Sequence, residues 1–166
     1  MNMLEISKLP LTGLYNFELF RAGELIDQEQ FYNGIVTAGK NSLLGVSFHA
    51  DTQITAWYMG LIDNAGFSAL SAADTMSSHA GWSESTAYSE SVRQTWTAGA
   101  ASSGSITNSS AVVFSINGTA TLYGAFVTSG SAKSGTTGTL WSTGAFSTTK
   151  SVINGDSVRL TYTVSC

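Results

Sequence analysis

The chain has one cysteine, one proline and two histidines among its 166 residues, and only 11% of it is charged. Each shortage excludes something. A lone cysteine, Cys166, cannot close an internal disulfide. With His49 and His79 far apart in the sequence, no ligand set of the zinc type is spelled out. Seven Lys and Arg are scattered against eleven Asp and Glu, a net charge of −4. A phosphate backbone needs clustered positive charge, so no nucleic-acid partner is expected. No apolar stretch reaches the length of a membrane helix, and no membrane span is expected. The opening MNMLEISKLPLTGLYNFEL lacks a basic start followed by an apolar core, so no secretory signal is expected. Without one, the glycosylation patterns NSS at Asn108 and NGT at Asn117 read as turns.

What is present is 43% hydrophobic and 11% aromatic residues, with seventeen glycines. Ser and Thr make up roughly a quarter of the chain, well above ordinary usage. Disordered chains lack aromatic and β-branched residues, so this composition predicts a folded domain whose strands turn Ser and Thr to solvent. Its length suits one domain with a sizeable core.

Residues 14–37 read as two strand-like runs around the turn RAGE at 21–24, with Tyr15, Phe17 and Leu19 on one face and Asn16 and Glu18 on the other. TAGKNSLLGVSFHA then switches to helical spacing at Leu43, Leu44 and Phe48, with Thr37 as the expected cap and Gly39 and Gly45 as weak points. ITAWYMGLID is apolar throughout, the pattern of a strand buried on both faces. A long connection, 63–86, separates it from a run of short strands. Asn117-Gly118 between VVFSI and TATLYGAFVTS is the pattern of a two-residue hairpin. SGSAKSGTTG reads as a loop tip, and LWSTGAFSTTKSVI as a short strand with a continuation. In SVRLTYTVS, Val158, Leu160, Tyr162 and Val164 alternate with polar residues, a one-sided strand. Seven or eight short strands with frequent turns predict a mainly β fold, a β-sandwich of jelly-roll-like form, with an N-terminal hairpin and one short helix. Residues 1–11 form the expected N-terminal arm, and 12–166 the single sandwich domain.

DTMSSHAGWSE, residues 74–84, gathers the ingredients of a hydrolase: Asp74, Ser77, Ser78, His79 and Glu84. A Ser-His-Asp device is usually assembled from distant segments, and no Gly-x-Ser-x-Gly elbow occurs here. The expectation is therefore a non-enzymatic loop, with Asp74 capping a helical turn at TMSSH and Trp82 anchoring the far end. Asp63, Asn64 and Asp74 lack the acidic spacing of a calcium loop, and DNAG reads as a β-turn. GIVTAGKNS imitates a phosphate loop but has Asn after the lysine and lacks the first glycine, so no cofactor is expected. Of the aromatics Trp57, Tyr58, Trp82, Trp96, Tyr123 and Trp141, most sit in strands and are expected in the core. Trp82, with polar neighbours, is the candidate surface-binding aromatic.

Several segments in order, NGIVTAGKNSLLGVSF, TAWYMGLIDNAGFSALSAADTMSSHAGWSE, SITNSSAVVFSINGTATLYGAFVTS and GTLWSTGAFSTTKSVINGDSVRLTYTVS, resemble a family of small tailed-bacteriophage virion structural proteins. The resemblance runs from about residue 13 to 165. It implies a capsid decoration, or cement, protein without catalytic residues, bound to the major capsid protein as a homo-oligomer on the capsid surface and assembled in the bacterial host cytoplasm. The candidate capsid contacts are the apolar residues of the arm, Leu4, Ile6, Leu9, Pro10 and Leu11, unless they form an ordinary edge strand of the domain. The alternatives are a tail, fibre or head–tail component of the particle, and a carbohydrate-binding module using Trp82.

Overall fold

The computed structural model describes residues 10–166. Its first element, β1 (Thr12–Arg21), buries Tyr15, Phe17 and Leu19 and turns Asn16 and Glu18 outward, as the alternation requires. A two-residue link joins it to β2 (Glu24–Tyr32). Ala22 and Gly23 take φ of 51° and 87°, the positive pair of a type I′ turn. This is the hairpin expected around residues 21–24.

After β3 (Gly34–Ile35) comes α1 (Thr37–Phe48), the one helix among the described residues. Two expectations about it change. Thr37 is already helical, and the residue before it is the extended Val36 without a side-chain cap. The apolar trio does not face the core: Leu43 and Leu44 are exposed, and Phe48 is 85% exposed. The helix instead packs through its one buried residue, Gly39, because an added Cβ there would lie 2.6 Å from the Trp141 carbonyl oxygen. The glycine that weakens the helix is the one that lets its backbone lie on the sheet.

The strand β4 (Trp57–Asp63) buries Met59, Gly60, Leu61 and Ile62 in succession. Met59 and Leu61 join the main core, whereas Ile62 joins a second cluster with Val36, Met76, Trp82, Phe126 and Leu140. The loop at 64–82 covers that outer face, which explains why the strand reads as apolar throughout. The short strands β5 (Ser83–Ser85) and β6 (Gln94–Trp96) pair in tandem along the same edge of β4. The strands β7 (Ser105–Thr107) and β8 (Val112–Ser115) do the same on β11 (Ser157–Ser165). The long strands β9 (Ala120–Thr128) and β10 (Leu140–Val152) form an antiparallel hairpin. β10 is one strand of thirteen residues, with an irregularity between Ala145 and Lys150, where a short strand with a continuation was expected.

The fold is mainly β, two antiparallel sheets in a sandwich arrangement: β2-β1-β11 with β7 and β8 on one side, and β3-β10-β9-β4 with β5 and β6 on the other. Tyr15, Phe17, Val158, Leu160 and Tyr162 of the first sheet meet Met59, Leu61, Ala125 and Val127 of the second in one core. Asn117-Gly118 is not a hairpin turn. It carries the chain from β8 in one sheet to β9 in the other, and neither residue has positive φ. Ile116 pairs instead with the 153–156 turn, through Ile116 N–H to Asp156 O at 2.9 Å and Gly155 N–H to Ile116 O at 2.9 Å. A local turn signal cannot tell which sheet the next strand joins. On the opposite flank, Lys150 of β10 reaches Asp27 and Glu29 of β2 at 3.1 and 2.9 Å and ties the two sheets together.

Candidate functional site

The Asp74–Glu84 stretch is assembled around its tryptophan. The Asp74 carboxylate accepts the Ser71 amide at 2.9 Å and the Trp82 indole N–H at 3.0 Å. His79 Nδ1 donates to the Trp82 carbonyl at 3.0 Å, and the two rings stack at 3.9 Å. Among the described hydrogen bonds none joins His79 to Asp74 or to a serine, so the residues of a triad are neighbours without its connectivity. Asp74 does not cap a helical turn, because Thr75 and Ser78 pair as a tight turn instead. Asp63 is used separately. It accepts the Ala65 amide at 2.7 Å in the turn at DNAG.

Trp82 is not a surface aromatic. It is 4% exposed and rests on Phe126 with ring centroids 5.0 Å apart. Its polar neighbours face solvent while the indole covers the outer face of the second sheet. Burial of its N–H is possible because Asp74 accepts it. A sugar cannot stack on this ring without unfolding the loop.

Glu84, counted with the hydrolase ingredients, has a structural partner that the sequence reading missed. Arg93 donates Nε and Nη2 to Glu84 at 3.0 and 2.8 Å, and also reaches the carbonyls of Gly130 and Gly135 at 2.8 and 2.9 Å. The Ser134 amide donates to Glu84 at 2.6 Å, and Lys133 lies 3.7 Å over the Tyr88 ring. Burial, then the neighbouring Glu84 charge, pushes the Tyr88 hydroxyl well above its ordinary range. The network therefore pins the SGSAKSGTTG segment against β5 and β6. Nothing in the local pattern around Arg93 gives its partner away, because Glu84 and the 130–135 loop reach it from separate segments. Asn108 is equally committed. Its side chain accepts the Trp96 indole at 3.0 Å and the Tyr162 amide at 2.7 Å, and donates to Leu160 O at 3.1 Å. It is an internal bracket, with no free amide for a glycan.

One end of the sandwich is built differently. Here β1, β4 and β10 begin while β6, β9 and β11 finish, and α1 crosses nearby. Leu11, Leu43, Val46, Trp57, Trp96 and Trp141 line an apolar cavity of about 400 Å³. Trp57 and Trp141 meet edge to face at 5.8 Å. The arm leaves the domain at this cavity: Leu11 lines it half-buried and Pro10 is exposed. Leu4, Ile6 and Leu9 lie outside the described residues. Of the candidate contacts, then, Leu11 is placed in the wall of a groove to which α1 contributes Leu43 and Val46, with Pro10 just before it. No pattern in the sequence announced the groove, because its walls come from strand ends far apart in the chain. No protein-family model matches this chain, and no curated protein matches it.

Proposed function

We propose that this chain is a virion structural protein, a capsid decoration or cement protein that binds the outer surface of a tailed-phage head. It stabilises the shell by bridging neighbouring copies of the major capsid protein. The observation that carries the reading is the concentration of unpartnered apolar surface at one end of the sandwich. There Leu11, at the arm's exit, and the rings of Trp57, Trp96 and Trp141 meet Leu43 and Val46 of α1 around an open apolar groove. Elsewhere the described surface exposes the adjacent Leu25 and Ile26, with Tyr32, Val92, Val113 and Ile153, among polar strand faces. The resemblance in sequence supports the same assignment. The finer form of the proposal is a jelly-roll-like sandwich, favoured by the crossings between sheets at β8–β9 and β10–β11.

The mechanism is burial at a repeated interface. An arm and an adjoining apolar face can engage two capsid subunits at once, and linked weak contacts act with an affinity that neither has alone. Assembly as a homo-oligomer on the shell, from protein made in the host cytoplasm, multiplies the effect. The net charge of −4 favours the outside, since the inside of a filled head is crowded with phosphate.

Quantitative densitometry of purified particles tests the proposal. Decoration of a repeated shell requires on the order of hundreds of copies per particle. A copy number of about a dozen or fewer, as a closed ring would give, assigns the chain to the tail or the head–tail junction instead. Absence from purified particles overturns the virion reading altogether.

A further inference from the structure

Lys150 is a buried amine set between two carboxylates. Its side chain is 6% exposed, and Nζ lies 2.9 Å from Glu29 Oε2 and 3.1 and 3.4 Å from the two oxygens of Asp27. Two strand irregularities create the placement. β2 shifts register on β1 between Leu25 and Asp27, so that Asp27 stands opposite Leu19 and Glu29 opposite Phe17, on the face that enters the core. β10 shifts register on β9 between Ala145 and Lys150, where the exposed residues 147–149 separate buried Phe146 from buried Lys150. Such an irregularity re-aims side chains, and here it turns a lysine inward. On the core side the amine faces hydrocarbon. The Phe17 and Phe146 rings each lie 5.8 Å from Nζ and 4.7 Å from one another. The pairs Arg93–Glu84 and Arg21–Asp156 are made by guanidinium groups, which stay protonated and unreactive, whereas a lysine amine is a nucleophile.

We infer that Lys150 and Asp27 condense to a side-chain amide in the folded chain, with Glu29 as the proton relay. The step balances within the three residues. Glu29 takes one proton from the ammonium, the freed amine attacks the Asp27 carboxyl carbon, and an N–C bond forms as a C–O bond breaks. The departing oxygen receives that proton back from Glu29 and a second from the nitrogen, and leaves as water. The amide nitrogen keeps the third proton, one positive and one negative charge disappear, and Glu29 ends ionised as it began. The division of roles follows the surroundings. Burial raises the Glu29 carboxyl, but Lys150 and the Ser147 amide, at 2.7 Å, bring it below its ordinary range, so it is held as an anion that accepts protons. Asp27 is 39% exposed and has no partner but Lys150 among the described hydrogen bonds, so its oxygen can leave to solvent. Burial favours the neutral amine, yet the two carboxylates hold Lys150 above its ordinary value, so the proton moves to Glu29 as the bond forms. Fixing the reacting groups at contact distance supplies the orientation that separate molecules lack, and condensation removes a buried charge pair that is costly to desolvate. These ion pairs describe the chain before condensation. The product staples β2 to β10, one strand from each sheet. The inference does not rest on the capsid assignment.

The mass of the purified full chain, measured after denaturation, reads the bond directly. The expected mass is one water below that of the sequence. Trypsin should then release residues 22–40 joined to residues 134–159, because an acylated Lys150 is no longer a cleavage site. A chain at full mass that yields free residues 134–150 overturns the proposal and leaves an ordinary ion pair between the sheets. Two variants assign the roles, with the melting transition showing that each is folded. Asp27→Ala should return to the full mass of its sequence and melt at a lower temperature than the parent. Loss of a water in that variant overturns the assignment of Asp27. Glu29→Gln keeps the shape of the side chain but removes its basic oxygen, so it should stay at full mass. Condensation in Glu29→Gln to the same extent as in the parent overturns the relay.

Discussion

Arg93 and Glu84 form a two-pronged ion pair, Nε to Oε1 at 3.0 Å and Nη2 to Oε2 at 2.8 Å, with side chains only 1% and 4% exposed. Neither charge has bulk water to fall back on, and each uses its remaining hydrogen-bonding capacity on the 130–135 loop. Removing one member leaves the other buried and uncompensated.

Arg93→Ala should therefore destabilise the domain by about 3–5 kcal/mol, the range for breaking a buried pair. Chemical denaturation measures the loss, and limited proteolysis should show new cleavage in 129–139. If the pair's energy is mutual, Glu84→Ala with Arg93→Ala together costs less than the sum of the two.

Trp82→Ala removes a buried indole packed on Phe126 and His79 and should cost about 3–5 kcal/mol. His79→Ala loses one hydrogen bond and one stacking partner at the loop surface, about 1 kcal/mol. Thermal melts of the two variants rank them. A Trp82→Ala protein as stable as the parent would show that the indole is not buried in solution.

Stability should fall on acidification. The Arg21 guanidinium beside Asp156, at 2.8 Å, holds that carboxyl below its ordinary range against the opposing effect of burial. Burial pushes Glu29 up, but Lys150 and the Ser147 amide outweigh it and lower it on balance. A carboxylate depressed in the folded state binds protons more weakly than in the unfolded chain. Its contribution is complete above the unfolded values near ~4 and is lost as pH falls through the folded ones. Asp156→Asn should flatten the decline in melting temperature below about pH 4, while leaving a lower plateau at neutral pH.

Gly23 and Gly118 should behave oppositely. Gly23 sits at φ 87° in the β1–β2 turn, so Gly23→Val should cost about 1 kcal/mol or more. Gly118 lacks positive φ, and an added Cβ there meets nothing within 4 Å, so Gly118→Ala should change stability by less than about 0.5 kcal/mol. Equal effects at the two sites would place a second tight turn at Asn117-Gly118.

Deletion of residues 1–11 should leave a cooperatively melting domain, because strand pairing begins at Thr12 opposite Ser165. Mixed with particles stripped of this protein, the shortened chain should no longer saturate them. Saturation by the truncated domain would remove the arm from the docking surface.

What the sequence by itself determined is whatever depends on period and on neighbours in the chain. Alternation at Tyr15, Phe17 and Leu19, and again at Val158, Leu160 and Tyr162, set the buried faces of β1 and β11. The positive-φ turn after Arg21 made the first hairpin local. The unbroken apolar run of β4 announced burial on both sides. Tertiary structure decided everything that depends on which sheet a strand joins. Asn117-Gly118 became a crossing because β8 hydrogen-bonds to β11, far along the chain, rather than to the strand that follows it. Trp82 and Asn108 sit among polar letters, yet each is drawn inside by partners that satisfy it: Asp74 for the indole, Trp96 and Tyr162 for the amide. Leu44 and Phe48 follow helical spacing but are left in solvent, because Gly39 had already claimed the face of α1 that meets the sheet. The groove exists only where the ends of six strands and a helix converge, and no window of sequence contains that.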